Sequence, residues 1–423
     1  MSAETRTKSS KTKVNQKTNQ QINDRFYPVD SCLIHLKFFM KQLSTTIFTT
    51  MSALAQQHEA INLGQGFPDF EADPALLDAA YAAMQTGNNQ YAPMMGTAQL
   101  RSAVAGLVKQ HYGFEADVNQ HITITSGASE ALFCAIMAIT EPADELIILE
   151  PAYDLYRPAI VNAGGVPVAV NLVLNEGQTF VVDWVAVRAA ITPKTRAIIV
   201  NTPNNPTGNT FTEQDLIELE RLAEQHNLWV ISDEVYEHMV FDGALHQSAL
   251  RRPALAARTI HVASFGKTLH VTGWKIGYAI APVALTQAIR AVHQFNTFTV
   301  ATPLQLGIAM YLNEHPQATW ALPEFYQAKR DRFRAGLTGT GLRVLPCQGT
   351  YFQLVDYSGL ARFSAMSDVE FAVHLTQHIG VAAIPLSPFY GAPPADQKLV
   401  RFCFAKKEDT LTAALKALQL GLG

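Results

Sequence analysis

SFGKTLHVTGWKIGY, residues 264–278, follows directly on the apolar run Thr259-Ile260-His261-Val262-Ala263. That run reads as a buried strand. A lysine just beyond a strand end, here Lys267, stands where open α/β sheets place their reactive groups. Such a lysine can form an imine with a carbonyl compound. Taken alone it is an ordinary solvated loop lysine, so its meaning depends on what the neighbouring strands deliver to the same edge.

Working outward, five more apolar runs alternate with helical stretches: ITIT (122–125), ELIILE (145–150), RAIIVN (196–201), LWVIS (228–232) and KIGYAIA (275–281). Mostly apolar strands of this kind predict an α/β fold, with a largely parallel central sheet covered on both faces by helices. The first run leads into Ser126-Gly127-Ala128-Ser129 and a helix over 130–139. The N–H groups of such a helix start suit a phosphate, although serine there is also an ordinary cap. The next runs end in Glu150-Pro151-Ala152-Tyr153, in Asn201 to Gly208 with Asn205 before a proline, and in Ser232-Asp233-Glu234-Val235-Tyr236. Singly, Tyr153 reads as core, Asn205 as a turn former and Asp233 as a helix cap. Delivered together to one sheet edge beside Lys267, they read as a site.

The remainder frames this sheet. Residues 1–23 are almost wholly polar and predict a disordered tail, and the working chain is expected to begin near Met40, with organised sequence from about Thr45. INLGQGFPDF (61–70) and NQYAPMMG (89–96) read as irregular segments bordering a site, and helices are expected over 74–84 and 100–108. Beyond about residue 300 come helices over 305–314 and 324–337, short strands over 350–355, 382–385 and 398–404, and a last helix over 410–420, predicting a smaller α/β domain. With 48% hydrophobic and 16% charged residues and a net charge of −4, the chain has the composition of a globular enzyme and no basic field for nucleic acid. Its four cysteines are too scattered for a metal pair or a disulfide framework, which fits a reducing cytoplasm. No apolar run is long enough to span a membrane, and no secretory signal is apparent.

Once these motifs are set side by side, NNPTG, SDEVY, SFGKT with GWKIGY, and RFCFAK resemble the successive motifs of the class I aminotransferases, pyridoxal-phosphate enzymes of fold type I. The resemblance extends over about residues 45–420. Within the class, NLGQGFPDF, NQYAPM, SFGKTLHVTGWK, GTYFQLVDYS, GVAAIPLSPF and RFCFAKKE are similar to the bacterial methionine aminotransferases and, a little less, to the kynurenine group.

The resemblance implies a large cofactor-binding domain over 75–300 with a mostly parallel seven-stranded sheet, and a small C-terminal domain over 301–423. It also implies an arm over 45–74 joining the small domain, preceded by an extension over 1–44. By the same resemblance Lys267 holds pyridoxal phosphate as an imine and, once freed, moves the proton from the substrate Cα. Asp233 keeps the ring nitrogen protonated, Asn205 and Tyr236 bond the ring hydroxyl, and Tyr153 stacks on the ring. Ser126, the Gly127 and Ala128 backbone, Ser264 and Lys275 hold the phosphate, and Tyr91 reaches the phosphate of a neighbouring subunit in a homodimer. Arg401 grips the substrate α-carboxylate, with Gly66 and Asn205 adding contacts. Relatives acting on acidic substrates supply a second arginine from the segment matching Gln294–Ala301, which has none here. Phe67, Phe298 and Tyr153 suggest an apolar side-chain pocket, although Phe67 and Phe298 also read as plain core.

The implied activity is amino transfer from methionine, or another large neutral or aromatic amino acid, to a 2-oxo acid, in a ping-pong cycle through pyridoxamine phosphate. A kynurenine aminotransferase or cysteine-conjugate β-lyase is the alternative. A non-catalytic pyridoxal-phosphate-binding regulator is a remote one, because the first 45 residues are too few and too polar for a DNA-binding domain.

Overall fold

The apolar runs assemble as one sheet in the computed structural model, which describes residues 46–423. The expected tail over 1–23, the start near Met40 and Cys32 lie outside the described residues. After a helix Ile47–Gln57 and a short strand β1 (Ile61–Asn62) come β2 (Ile122–Thr125), β3 (Glu145–Glu150), β4 (Val166–Asn171), β5 (Thr195–Asn201), β6 (Trp229–Asp233), β7 (Thr259–Ser264) and β8 (Gly277–Ile280). The last seven form one sheet in the order β2-β8-β7-β6-β5-β3-β4. All its pairings are parallel except those of β8, which runs antiparallel to both β2 and β7. Along β8 successive side chains divide between two cores: Tyr278 and Ile280 pack with Ile122, Ile124 and Ala263, whereas Ala279 packs with Ile260 and Val262. Alternation of this kind requires a sheet buried on both faces.

Two strand boundaries matter for the site. β6 runs one residue past the expected LWVIS, so Asp233 is its last residue. β8 starts two residues later than KIGYAIA, because Lys275 adopts φ 54° and ψ 46°, a left-handed conformation that interrupts the strand. β4 is absent from the sequence-based expectation. It is a half-exposed edge strand containing Pro167, which such an edge tolerates and which weakens its apolar signal.

A second sheet contains β9 (Arg343–Val344), β10 (Phe352–Asp356), β12 (Ile384–Pro385) and β13 (Leu399–Cys403), antiparallel in the order β9-β10-β13-β12. The expected strand over 382–385 is split, because β11 (Val381–Ala382) instead pairs in parallel with β1. That pairing carries the segment after β1 alongside the end of β13, where Cys403 N–H donates to Leu63 O at 2.7 Å. Both sheets lie in one compact unit, Thr50–Gly423. The expected helices are Pro74–Gln85, Ala98–Tyr112, Thr302–Glu314, Leu322–Gly336 and Glu408–Leu422. The helix expected over 130–139 begins earlier, as Gly127–Ile139, with Ser126 at its N-cap. Among the described residues no helix is long and apolar enough to cross a membrane.

Candidate active site

Lys267 sits in the one-turn helix Phe265–Thr268 that follows β7. Its Nζ donates to Gly66 O at 3.0 Å and to Tyr351 Oη at 2.9 Å, and Tyr351 Oη in turn donates to Gly66 O at 2.6 Å. The rings of Tyr236 and Tyr351 flank the amine at 5.8 and 5.5 Å. Burial pulls the Lys267 ammonium down to about 8; cationic Arg401 and Lys275 act in the same direction, and Cys403 and Asp233 oppose it. A lysine so tuned is largely neutral in mildly alkaline solution, as a nucleophile or base requires.

Asp233, at the end of β6, accepts from Tyr156 Oη at 2.5 Å through Oδ2 and from Val235 N–H at 3.3 Å through Oδ1. Asn201 Nδ2 donates to its carbonyl at 2.8 Å. Burial raises this carboxyl to about 6 against the two hydrogen bonds, so it remains an anion at neutral pH. Its neighbour Glu234 enters a buried network, accepting from Ser232 Oγ at 2.7 Å and Ala249 N–H at 3.1 Å and meeting His246 Nε2 at 2.7 Å. Glu237 accepts from Tyr112 and from Tyr278, the latter at 2.9 Å, and His261 lies between the two glutamates. This network fixes the chain on either side of Asp233.

Arg401, on β13, is 1% exposed. Its Nη1 donates to Asn205 Oδ1 at 2.5 Å and its Nη2 to Gly64 O at 2.9 Å, while the guanidinium lies 3.8 Å over the Phe352 ring. Burial lowers it to about 10, still cationic at neutral pH. Asn205 is held by its own N–H, which donates to Asn201 Oδ1 at 2.8 Å. A Cβ on Gly66 would stand 2.8 Å from Phe352 Cζ, so only glycine lets this segment lie so close to the arginine's stacking partner. Lys406 Nζ secures the next residue by donating to Phe67 O at 2.8 Å.

At the other end of the site Gly127 has φ +70°, and a Cβ there would stand 3.3 Å from Lys275 Nζ. The space beside the Lys275 amine at the start of a 13-residue helix is therefore left open. Glu130 steadies this turn: it accepts from Ser126 N–H at 2.5 Å and meets His293 Nδ1 at 2.6 Å, and His293 Nε2 lies 2.9 Å from Met94 O in the loop that carries Tyr91. Glu130–Cys134–His293 and Glu234–Glu237–His261 each bring three metal-type donor atoms within 4.8 Å, with carboxylates already engaged in the bonds just described.

The structure thus bonds Lys267 to Gly66 and Arg401 to Asn205 and Gly64, with Tyr236 against the lysine. It sets Asp233 in register with Asn201 of the neighbouring strand, and Gly127 with Lys275 at the helix start. Ser264 ends β7 beside them, Ala128 is the second residue of the helix, and Tyr153 meets Tyr156 edge-on at 5.8 Å. Tyr91 and Phe298 stand apart as a surface pair 5.5 Å between centroids, with Tyr91 83% exposed, and Phe67 is 41% exposed. The sequence-based reading missed Tyr351, Tyr156, Phe352 and the Glu130–His293 pair. Tyr351 and Phe352 were inside the quoted stretch GTYFQLVDYS, but nothing in a tyrosine's own sequence context says that it meets a lysine 84 residues away.

This donor set fits pyridoxal phosphate. An open glycine cradle, a helix start and a lysine suit the phosphate, a buried carboxylate suits a cationic ring nitrogen, and a depressed lysine suits the aldehyde. The family description "Aminotransferase class I and II" matches residues 58–418. The chain is 48% identical over 380 residues to methionine aminotransferase of Escherichia coli, covering 90% of this chain and 97% of that one. It is 36% identical over 396 residues to kynurenine–oxoglutarate transaminase 3 of Mus musculus, covering 88% and 87%. The crystal structure of YbdL from Escherichia coli, reported to identify a methionine aminotransferase function, aligns with a TM-score of 0.86 at 47% identity over 90% of this chain and 97% of that one. With the fold, the site and these likenesses in agreement, the chain belongs to the class I and II aminotransferases, enzymes that work through pyridoxal phosphate.

Proposed function

We propose that this aminotransferase takes methionine, or another large neutral or aromatic amino acid, as its amino donor and a 2-oxo acid as acceptor. The observation that carries the reading is the buried clamp of Arg401 with Asn205 and Gly64, placed on the same backbone segment as the acceptor of Lys267. Its cation suits an α-carboxylate. Residues 294–301, QFNTFTVA, contain no arginine for a second carboxylate, while Phe67 and Tyr153 would offer apolar faces to a thioether or ring, and Phe298, exposed beside Tyr91, would do so only from a neighbouring subunit. The 48% identity to the Escherichia coli methionine aminotransferase supports the same choice.

Pyridoxal phosphate, when bound, supplies the electron sink that lets the substrate Cα–H bond ionise. Ser126, the Gly127 and Ala128 amides, Ser264 and Lys275 would hold its phosphate, Asp233 a proton on its ring nitrogen, and Asn205 and Tyr236 its ring hydroxyl, with Tyr153 against its face. Arg401 orients the substrate by its carboxylate, exchanging the Asn205 and Gly64 oxygens for those of the ligand. Lys267, neutral above about pH 8, would take the proton from the substrate Cα onto its own nitrogen.

The exposed aromatics Tyr91 and Phe295, 83% and 87% accessible, support a homodimer in which Tyr91 completes the partner's phosphate site. We assign the protein to the cytoplasm and divide it into an arm over 45–74, a cofactor domain over 75–300 and a small domain over 301–423. The test is a panel of amino donors followed by cofactor absorbance. Methionine is expected to react at least about 100-fold more efficiently than aspartate, and equal efficiency overturns the reading. Release of pyruvate from a cysteine conjugate faster than methionine transamination would favour the β-lyase alternative.

A further inference from the structure

Tyr351 has no part in the roles assigned so far, yet its hydroxyl is the closest partner of the reactive amine. Its backbone is pinned on both sides. Thr350, at φ 69°, donates its N–H to Met239 O at 2.9 Å, and Phe404 N–H donates to Tyr351 O at 2.9 Å. The side chain is 0% exposed and lies edge-on to Tyr236 at 5.1 Å and to Phe352 at 4.8 Å. The hydroxyl is therefore fixed in place by packing rather than by its own torsion.

The hydrogen bonds around it close a ring of three, and the donors and acceptors match. Gly66 O accepts twice, once from Lys267 and once from Tyr351, as a carbonyl with two lone pairs can. Tyr351 Oη donates its only hydrogen to Gly66 O and accepts one from Lys267, with the Tyr236 hydroxyl as a further hydrogen-bonding neighbour. A neutral lysine has two hydrogens, and both are committed in this ring, so its lone pair is left pointing away from the 64–67 segment. We propose that Tyr351 is a positioning residue, which aims the lone pair of neutral Lys267 by accepting one of its hydrogens while bonded to Gly66 O. The inference rests on Lys267 being the amine that takes up the cofactor.

A hydroxyl acceptor bonds an ammonium more strongly than an amine, so Tyr351 also holds Lys267 more basic than the rest of its surroundings would. Those surroundings are Asp233 and Cys403, which raise the lysine, and Arg401 and Lys275, which lower it, with the Tyr236 ring against the amine. Removing the hydroxyl leaves the burial and removes the acceptor, which shifts the titration downward.

The test uses cofactor-free protein and pyridoxal phosphate itself. The rate at which Lys267 takes up the cofactor, trapped with borohydride and located by peptide mass, is measured from pH 6 to 10, and the titration of the amine is measured independently by competitive acetylation. In the wild type the rate is expected to rise with a midpoint near 8. Tyr351→Phe lowers the plateau by about tenfold and moves the midpoint in both measurements down by roughly one pH unit. Tyr351→3-fluorotyrosine, which preserves the packing and weakens the acceptor oxygen, moves the midpoint the same way by less. A purely structural tyrosine would lower the melting temperature and leave the midpoint where it is, and an unmoved midpoint in both variants overturns the inference. Lys267→Ala protein that still takes up the cofactor covalently would overturn the assignment of Lys267 instead.

Discussion

Tyr156 donates its hydroxyl to Asp233 Oδ2 at 2.5 Å, on the side of the carboxyl away from the oxygen that receives Val235 N–H. This bond keeps a fully buried acid ionised, since burial alone pushes Asp233 upward. In Tyr156→Phe the carboxyl keeps its burial and loses its strongest donor, so its titration rises from about 6 by roughly one to two units. The acid limb of pyridoxal phosphate binding to the cofactor-free protein is expected to move up by the same amount. Cofactor titrations from about pH 5 to 9 check it, and an acid limb that stays in place would mean that Asp233 does not depend on Tyr156.

Lys267 sets a trade between function and stability in the cofactor-free protein. Its folded-state value lies near 8, below the usual 10.5, so its contribution to stability is complete above about 10.5 and is lost as the pH falls through 8. At pH 7 the folded protein therefore houses a cation it would be better without. Lys267→Met is expected to melt roughly 2–4 °C higher than wild type at pH 7, and the difference closes as the pH approaches 10.5. Calorimetry of both cofactor-free proteins at the two pH values decides it.

Arg401 binds through a flat, two-pronged group stacked on Phe352 at 3.8 Å. Lysine supplies the same charge without the fork or the stacking face. Arg401→Lys is expected to raise KM for methionine by about 10- to 100-fold, with pyridoxal phosphate binding weakened far less, because no phosphate contact is touched and only the bond to Asn205 is altered. Steady-state kinetics beside a cofactor titration separate the two effects, and a matching loss of cofactor affinity would contradict the assigned role.

Gly277, the first residue of β8, has no room for a side chain. A Cβ there would stand 2.7 Å from Ala128 N and from Gly127 C, and 2.8 Å from Ala263 O. These are backbone atoms, two in the turn that faces Lys275 and one in β7, so they cannot swing aside. Gly277→Ala is expected to weaken pyridoxal phosphate binding by at least about 100-fold and to destabilise the fold by about 1–3 kcal/mol. Fluorescence titration with the cofactor and a denaturant curve measure the two effects.

The sheet was legible because its strands are apolar on both faces, and β3, β7 and β2 fall where their runs predict. β4 was not, because an edge strand half open to solvent and containing Pro167 has neither a continuous run nor clean alternation. Within the site, Lys267, Asp233 and Asn205 were legible because each stands just at or beyond a strand end, a place with chemical meaning in a parallel sheet. Tyr351 and Tyr156 were not, because their importance lies in which residue each one touches. A hydroxyl 2.9 Å from an amine is a product of the packing of two sheets, and no local pattern encodes it. The glycine cradle was half legible: Gly127 follows a strand, whereas Gly277 is revealed only by the three backbone atoms that crowd it.

Gly64 O faces Arg401 and Gly66 O faces Lys267, two carbonyls separated by a single residue. Under the proposed roles, that short length of backbone sets how far the carboxylate anchor stands from the group that removes the α-proton. Once an amino acid is held by its carboxylate and its nitrogen, its α-hydrogen and side chain have only two remaining directions, and a base fixed on one side can serve only one mirror image. The handedness of the substrate would then be written into the backbone of residues 64–66, without any contact to the side chain.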